Sequence, residues 1–138
     1  MWPDGARYEG EYRDGKKHGQ GHLKFADGSN YKGSFEENEI CGEGTYVWPD
    51  GKKYEGQWLN NKMHGMGKLL WIDGKWYEGE FAMDKRNGFG KFRWTDGRTY
   101  EGNWKDGKQH GTGTFTNLSG VVRRGRWENG RNVEWFDL

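Results

Sequence analysis

A chain of 138 residues fits one ordinary domain, yet only 31% of it is hydrophobic while 17% is aromatic and 25 residues are glycine. That mix excludes a thick aliphatic core, and the aromatic content excludes a disordered chain. A formal net charge of +1, from 22 basic and 21 acidic residues, supplies no global field toward nucleic acid or membrane, and no nucleic-acid partner is expected. Cys41 is the single cysteine, so no internal disulfide forms and a reducing compartment is the simpler reading. No leader-like stretch and no long apolar run is present, which points to a cytoplasmic protein.

Residues 1–7 read M-W-P-D-G-A-R and match V-W-P-D-G-K-K at 47–53. The chain thus opens in mid-repeat, either as an atypical cap or as a piece of a longer array. Tyr8, Tyr31, Tyr54, Tyr77 and Tyr100 then stand 23 residues apart, as do Gly10, Gly33, Gly56, Gly79, Gly102 and Gly125. A fixed period of this size marks a repeat architecture. The copies run 8–30, 31–53, 54–76, 77–99 and 100–122. A sixth begins at Arg123, keeps Gly125 and Trp127, lacks the H-G-x-G run and forms an atypical cap over 123–138.

Each copy holds two alternating runs. Tyr54, Gly56 and Trp58 share one strand face against Glu55 and Gln57; Gly65, Gly67, Leu69 and Trp71 do the same against Met66, Lys68 and Leu70. Turn residues separate the runs, as at Asp14-Gly15, Asn60-Asn61 and Asp106-Gly107, and Asp-Gly recurs between copies, as at Asp50-Gly51. The expected fold is all-β: an elongated, twisted, single antiparallel sheet of consecutive hairpins. All 25 glycines fall in five repeat positions, and 19 of 23 aromatics fall in four, with Trp76, Phe89, Trp135 and Phe136 as the exceptions. The register predicted from this sets Tyr12 opposite Gly21, Gly10 opposite Leu23 and Tyr8 opposite Phe25, so that rings lie on bare backbone across the ladder.

The pattern Y-E-G-Q-W-x-N-x-K-x-H-G-x-G, seen at 54–67, resembles the MORN (membrane occupation and recognition nexus) repeat family over nearly the whole chain. The resemblance implies a single elongated sheet and a non-catalytic scaffold for protein–protein interaction in a cytoskeletal, ciliary or cortical assembly. Two other readings stand beside it: a peripheral membrane module for acidic phospholipids, and the accessory repeat region of a larger methyltransferase- or lipid-kinase-type enzyme. The family also forms dimers and larger assemblies, and the sheet ends offer edges for self-association.

The residues themselves point to no catalysis, no metal and no cofactor. His18, His64 and His110 share one repeat position, but hairpins advance the sheet by ~10 Å, too far for one zinc ion. They read as turn histidines bonded to backbone, and His22 as solvent-facing. Cys41 takes the same position, among Glu36, Glu37, Glu39 and Glu43, which raise a thiol pKa. Glu9/Glu11 and Glu78/Glu80 read as solvated carboxylates of an exposed face, and the Gly-x-Gly runs as strand, since no helix follows them.

Three surfaces remain as candidates. The aromatic face of Trp48, Tyr54, Trp58, Trp71, Tyr77, Phe81, Trp94, Tyr100 and Trp104 is either its own core or a groove for a protein partner, with a helical segment as one mode. Lys16, Lys17, Lys62, Lys85, Arg86 and Lys108 form a basic row along the hairpin loops, suited to anionic lipid, which would make the protein membrane-associated as the alternative to a cytoskeletal location. Arg123, Arg124, Arg126, Trp127, Trp135 and Phe136 form a C-terminal cap or an oligomer contact.

Overall fold

The computed structural model describes residues 5–136. Residues 1–4, most of the expected opening partial repeat, and residues 137–138 of the cap lie outside the described residues. The first six strands are β1 (Arg7–Arg13), β2 (Lys16–Lys24), β3 (Asn30–Glu36), β4 (Glu39–Val47), β5 (Lys53–Leu59) and β6 (Lys62–Leu70). Six more follow: β7 (Trp76–Ala82), β8 (Lys85–Arg93), β9 (Thr99–Lys105), β10 (Lys108–Thr116), β11 (Val122–Glu128) and β12 (Arg131–Trp135). They make one open 12-stranded sheet in strict sequence order, every neighbour pair antiparallel. No helix occurs among the described residues. At ~4.8 Å per strand step the tape is about 50 Å long.

Each hairpin closes through a two-residue turn with both φ values positive, as at Asp14 (52°) with Gly15 (78°) and Asn60 (50°) with Asn61 (67°). This geometry matches the natural twist of paired strands, and Asn, Asp and Gly tolerate it. The turns are also fastened to one another. Asn61 N–H donates to the Ile40 carbonyl at 2.9 Å, and Asn61 Oδ1 accepts the Ile40 N–H at 2.7 Å. Asn38 does the same with Lys17, and Asp84 with Met63. At Gly107 and Gly130 only the backbone half remains, since glycine has no side-chain acceptor.

The predicted register is corrected by two residues at Tyr8 and Gly10 and by four at Tyr12. Gly10 faces Gly21, Tyr8 faces Leu23 and Tyr12 faces Lys17, and the other hairpins repeat this, with Gly56 facing Gly67 and Gly79 facing Gly90. The register changes across a bulge opposite Glu11, Ser34, Gln57, Glu80 and Asn103, where three residues of the partner strand (18–20 in the first hairpin) face one. The physical reason is the direction of a strand side chain. A ring directly opposite a glycine would stand off the sheet; to lie flat it must lean along its own strand. Each repeat tyrosine therefore covers the glycine pair two residues on, and its hydroxyl reaches the bulge carbonyl: Tyr31 to Ser34 at 3.0 Å, Tyr54 to Gln57 at 2.8 Å, Tyr77 to Glu80 at 2.8 Å and Tyr100 to Asn103 at 2.9 Å.

The bulge leaves strand N–H groups without ladder partners, and the bulge side chain supplies one. Gln57 Oε1 accepts Met66 N–H at 2.7 Å, Glu80 Oε2 accepts Phe89 N–H at 2.6 Å and Glu11 Oε2 accepts Gln20 N–H at 2.5 Å. Glu11 and Glu80 are thus parts of the backbone pairing, which corrects the reading of them as merely solvated.

Candidate functional site: the aromatic face

Strand alternation sends the repeat aromatics to one face, and there they form a core one ring deep. Tyr31, Tyr54, Tyr77 and Tyr100 are 0% exposed, and Phe35, Trp58, Phe81, Trp104 and Trp127 are buried beside them. The rings meet edge to face in an unbroken zigzag. It runs from Tyr12 through Tyr8, Phe35, Tyr31, Trp58, Tyr54, Phe81, Tyr77, Trp104, Tyr100 and Trp127 to Trp135. Centroid separations are 5.0 Å for Tyr54–Trp58 and 5.1 Å for Tyr54–Phe81, the T-shaped arrangement that aromatic quadrupoles favour. Indole N–H groups are satisfied by backbone, Trp58 to Gly44 O and Trp104 to Gly90 O, each at 3.1 Å.

Of the nine residues expected to line a groove, Tyr54, Trp58, Tyr77, Phe81, Tyr100 and Trp104 are core and present almost no surface. The candidate site narrows to Trp48, Trp71 and Trp94, which are half-buried and packed against that core. They sit at the strand ends beside the inter-repeat loops. A basic residue four positions on lies over two of them within reach for a cation–π contact, Lys52 at 4.4 Å from Trp48 and Lys75 at 5.3 Å from Trp71, and Arg98 is similarly placed on Trp94 at 5.5 Å. The loops are fixed by Asp50, Asp73 and Asp96, whose carboxylates accept the backbone N–H of those same basic residues. Reading Asp-Gly only as a turn overlooks this lid; the signal for it is the basic residue four positions after each tryptophan, Lys52, Lys75 and Arg98.

The basic row divides. Lys16, Lys62, Lys85 and Lys108 are exposed at the hairpin edge, and Lys16 is paired with Glu37 at 3.0 Å. Lys62, Lys85 and Lys108 make no ion pair among the described residues. Lys17 and Arg86 do not belong to the edge. The two-residue turn makes each the first residue to point to the aromatic face; Lys17 is buried there and Arg86 largely so. Burial pushes the Arg86 pKa below its ordinary value, with Tyr77 acting weakly in the other direction.

The histidine position behaves as a turn acceptor where it can be seen. His64 Nδ1 accepts Met83 N–H at 3.3 Å and His110 Nδ1 accepts Asn129 N–H at 3.5 Å, whereas His18 Nδ1 is buried with no partner. His22 stands 3.3 Å from Asn30 Oδ1. Burial first, then Glu36, pushes the Cys41 thiol up, away from nucleophilic character. Among the described residues no group of three His, Cys, Asp or Glu side chains is placed to hold a metal ion.

The described C-terminal residues continue the chain of ring contacts onto the last strand. Trp127 is buried against Tyr100 at 4.8 Å, and Trp135 on β12 caps Trp127 at 5.5 Å. Arg123 stacks on Trp135 at 4.0 Å, Arg126 pairs with Glu128 and Glu134, and Phe136 N–H donates to the Arg124 carbonyl. The last unit, predicted without a partner strand of the usual motif, finds one in Arg131–Trp135.

A comparison with curated proteins returns no match. The MORN repeat family model matches residues 8–30, 31–53, 54–76, 77–97 and 100–120. The 23-residue hairpin with its tyrosine laid over paired glycines is the physical content of that match, and the chain belongs to the MORN repeat family, whose arrays are typically non-catalytic scaffold or interaction modules.

Proposed function

We propose that this array is a non-catalytic scaffold that captures protein segments along its aromatic face, at the row Trp48, Trp71 and Trp94. One observation carries the reading. The tyrosine zigzag already closes the core, so these half-buried tryptophans are surplus to it, and they recur at repeat spacing along one side of the tape. Half-buried tryptophans in a line supply rigid apolar contact area at low entropic cost, the chemistry of interaction hot spots. A tape of such anchors suits an extended or helical segment and a role in a cytoskeletal, ciliary or cortical assembly. The test uses peptides selected from a displayed random library against the wild-type array. Trp71→Ala with Trp94→Ala should weaken those peptides by at least about tenfold, with the β-type far-UV spectrum unchanged. Undiminished binding would remove the tryptophan row from the site.

A second reading has its own observation. Lys62, Lys85 and Lys108 hold one repeat position at the opposite long edge and are exposed and unpaired among the described residues. Such a row suits acidic phospholipid headgroups, each near-surface cation contributing about 1 kcal/mol.

A further inference from the structure

We infer that Arg86 is the anchor for a carboxylate of the captured segment, so that the partner of the aromatic face is an apolar peptide carrying an Asp or Glu. This deepens the reading above and rests on it.

Arg86 occupies a repeat position held elsewhere by Lys17, Ile40, Met63 and Gln109. Ile40 is buried and Met63 half-buried in the same sheet, so the fold accepts an apolar group there and does not need a guanidinium. A guanidinium stays charged, and its burial is costly unless it is paired. Arg86 nevertheless lies among four rings: 4.8 Å from Trp104, 5.5 Å from Phe92, 5.9 Å from Tyr77 and 6.0 Å from Trp71. These contacts offset part of the lost hydration. One N–H, on Nη2, donates to the Gly107 carbonyl at 2.8 Å. A guanidinium has five such donors, and Arg86 makes no ion pair with any described residue.

The charges are also sorted by face. Strand alternation and the paired register place the strand carboxylates Glu9, Glu11, Glu43, Glu55, Glu78, Glu80 and Glu101 on the opposite face, away from the rings. The strand residues of the aromatic face include Lys17, Arg86 and Arg123 and no acid. An incoming carboxylate at Arg86 therefore meets a cation and no like charge from the strands, the nearest loop acids beside the tryptophan row, Asp73 and Asp96, being paired with Lys75 and Arg98. Its two oxygens match the fork of Arg86, and the surrounding rings exclude the water that would weaken the pair. The flanking apolar residues of the same segment would rest on Trp71 and Trp94.

The experiment takes the highest-ranking peptide selected from the random library and its amide analogue, with Glu→Gln or Asp→Asn at the acidic position. Kd is measured for both peptides with wild type and with Arg86→Met, a substitution that copies Met63. The carboxylate-to-amide change should weaken wild-type binding about 10- to 100-fold and change binding to Arg86→Met by less than about threefold. Selected peptides without an enriched acid, or an amide penalty equal in both proteins, would overturn the anchor while leaving the tryptophan row in place. Peptide binding that ignores the Trp71→Ala, Trp94→Ala pair would instead overturn the capture surface, and the anchor with it.

Discussion

Gly67→Ala isolates the claim that a ring resting on bare backbone holds this sheet together. Gly67 has no positive φ, so alanine suits its backbone and would by itself stabilise by about 0.5–1 kcal/mol. A Cβ built there, however, overlaps the Tyr54 ring and hydroxyl. The ring has nowhere to go. It is 0% exposed, held edge-on between Trp58 and Phe81, and tied through its hydroxyl to the Gln57 carbonyl. Displacing it forfeits two ring contacts at about 0.5–1.5 kcal/mol each and a buried hydrogen bond of about 1 kcal/mol. The net cost is then about 2–3 kcal/mol, in the usual range for overpacking. Urea unfolding followed by tryptophan fluorescence reads it. The decisive measurement is the same substitution in a Tyr54→Val background, where the space above Gly67 is vacant. There Gly67→Ala should be neutral or stabilising by up to about 1 kcal/mol, a coupling near 3 kcal/mol. Equal cost in both backgrounds would refute the ring-on-glycine account.

The same tyrosines predict an alkaline transition. Burial pushes the Tyr100 pKa up to about 12, and Tyr31, Tyr54 and Tyr77 are raised further still. A phenol whose folded pKa lies above its unfolded value stabilises fully below pH ~10, and that stability drains as pH climbs through the folded pKa, on the order of 3 kcal/mol for Tyr100 alone. Phenolate absorbance should therefore lag that of free tyrosine and then rise together with loss of β signal; ordinary titration near pH 10 with the sheet intact would contradict it. For the lipid reading, sedimentation with phosphatidylserine-rich vesicles should fall steeply with salt and with Lys62, Lys85 and Lys108 all changed to Gln, and salt-insensitive binding would remove the idea.

Much of the architecture was legible because the 23-residue period ties every turn and every aromatic to one place in a hairpin. Tyr54, Gly56 and Trp58 share a face whatever the register, so the aromatic side could be read directly. The register itself could not. Glu11, Gln57 and Glu80 look like ordinary outward residues, and nothing local to them says that their side chains replace lost ladder bonds at a bulge. A pairing drawn without that bulge falls two residues out at Tyr8 and four at Tyr12, and it hid the distinction between closed core and open rim. It thereby credited Tyr54 and Trp104 to a binding surface when they are interior. Lys17 and Arg86 were misplaced for a related reason. Adjacent residues in a strand point to opposite faces, so Lys16 and Lys17 cannot both belong to one outer row.

The fastening of each turn to the one before it bears on how such a ribbon would yield under load. Pulled along its length, the array parts one hairpin at a time, since every strand grips only its neighbours. Where Asn38, Asn61 and Asp84 clasp the preceding turn through both main chain and carboxyl or amide oxygen, peeling must break two bonds at the rim before the ladder opens. At Gly107 the second bond comes instead from the Arg86 guanidinium to the Gly107 carbonyl, and at Gly130 the main-chain bond stands without a clasping side chain of its own. Rupture would thus begin at the carboxy-terminal hairpin, so that the stretch bearing Trp48 and Trp71 outlasts it as a mechanical grip.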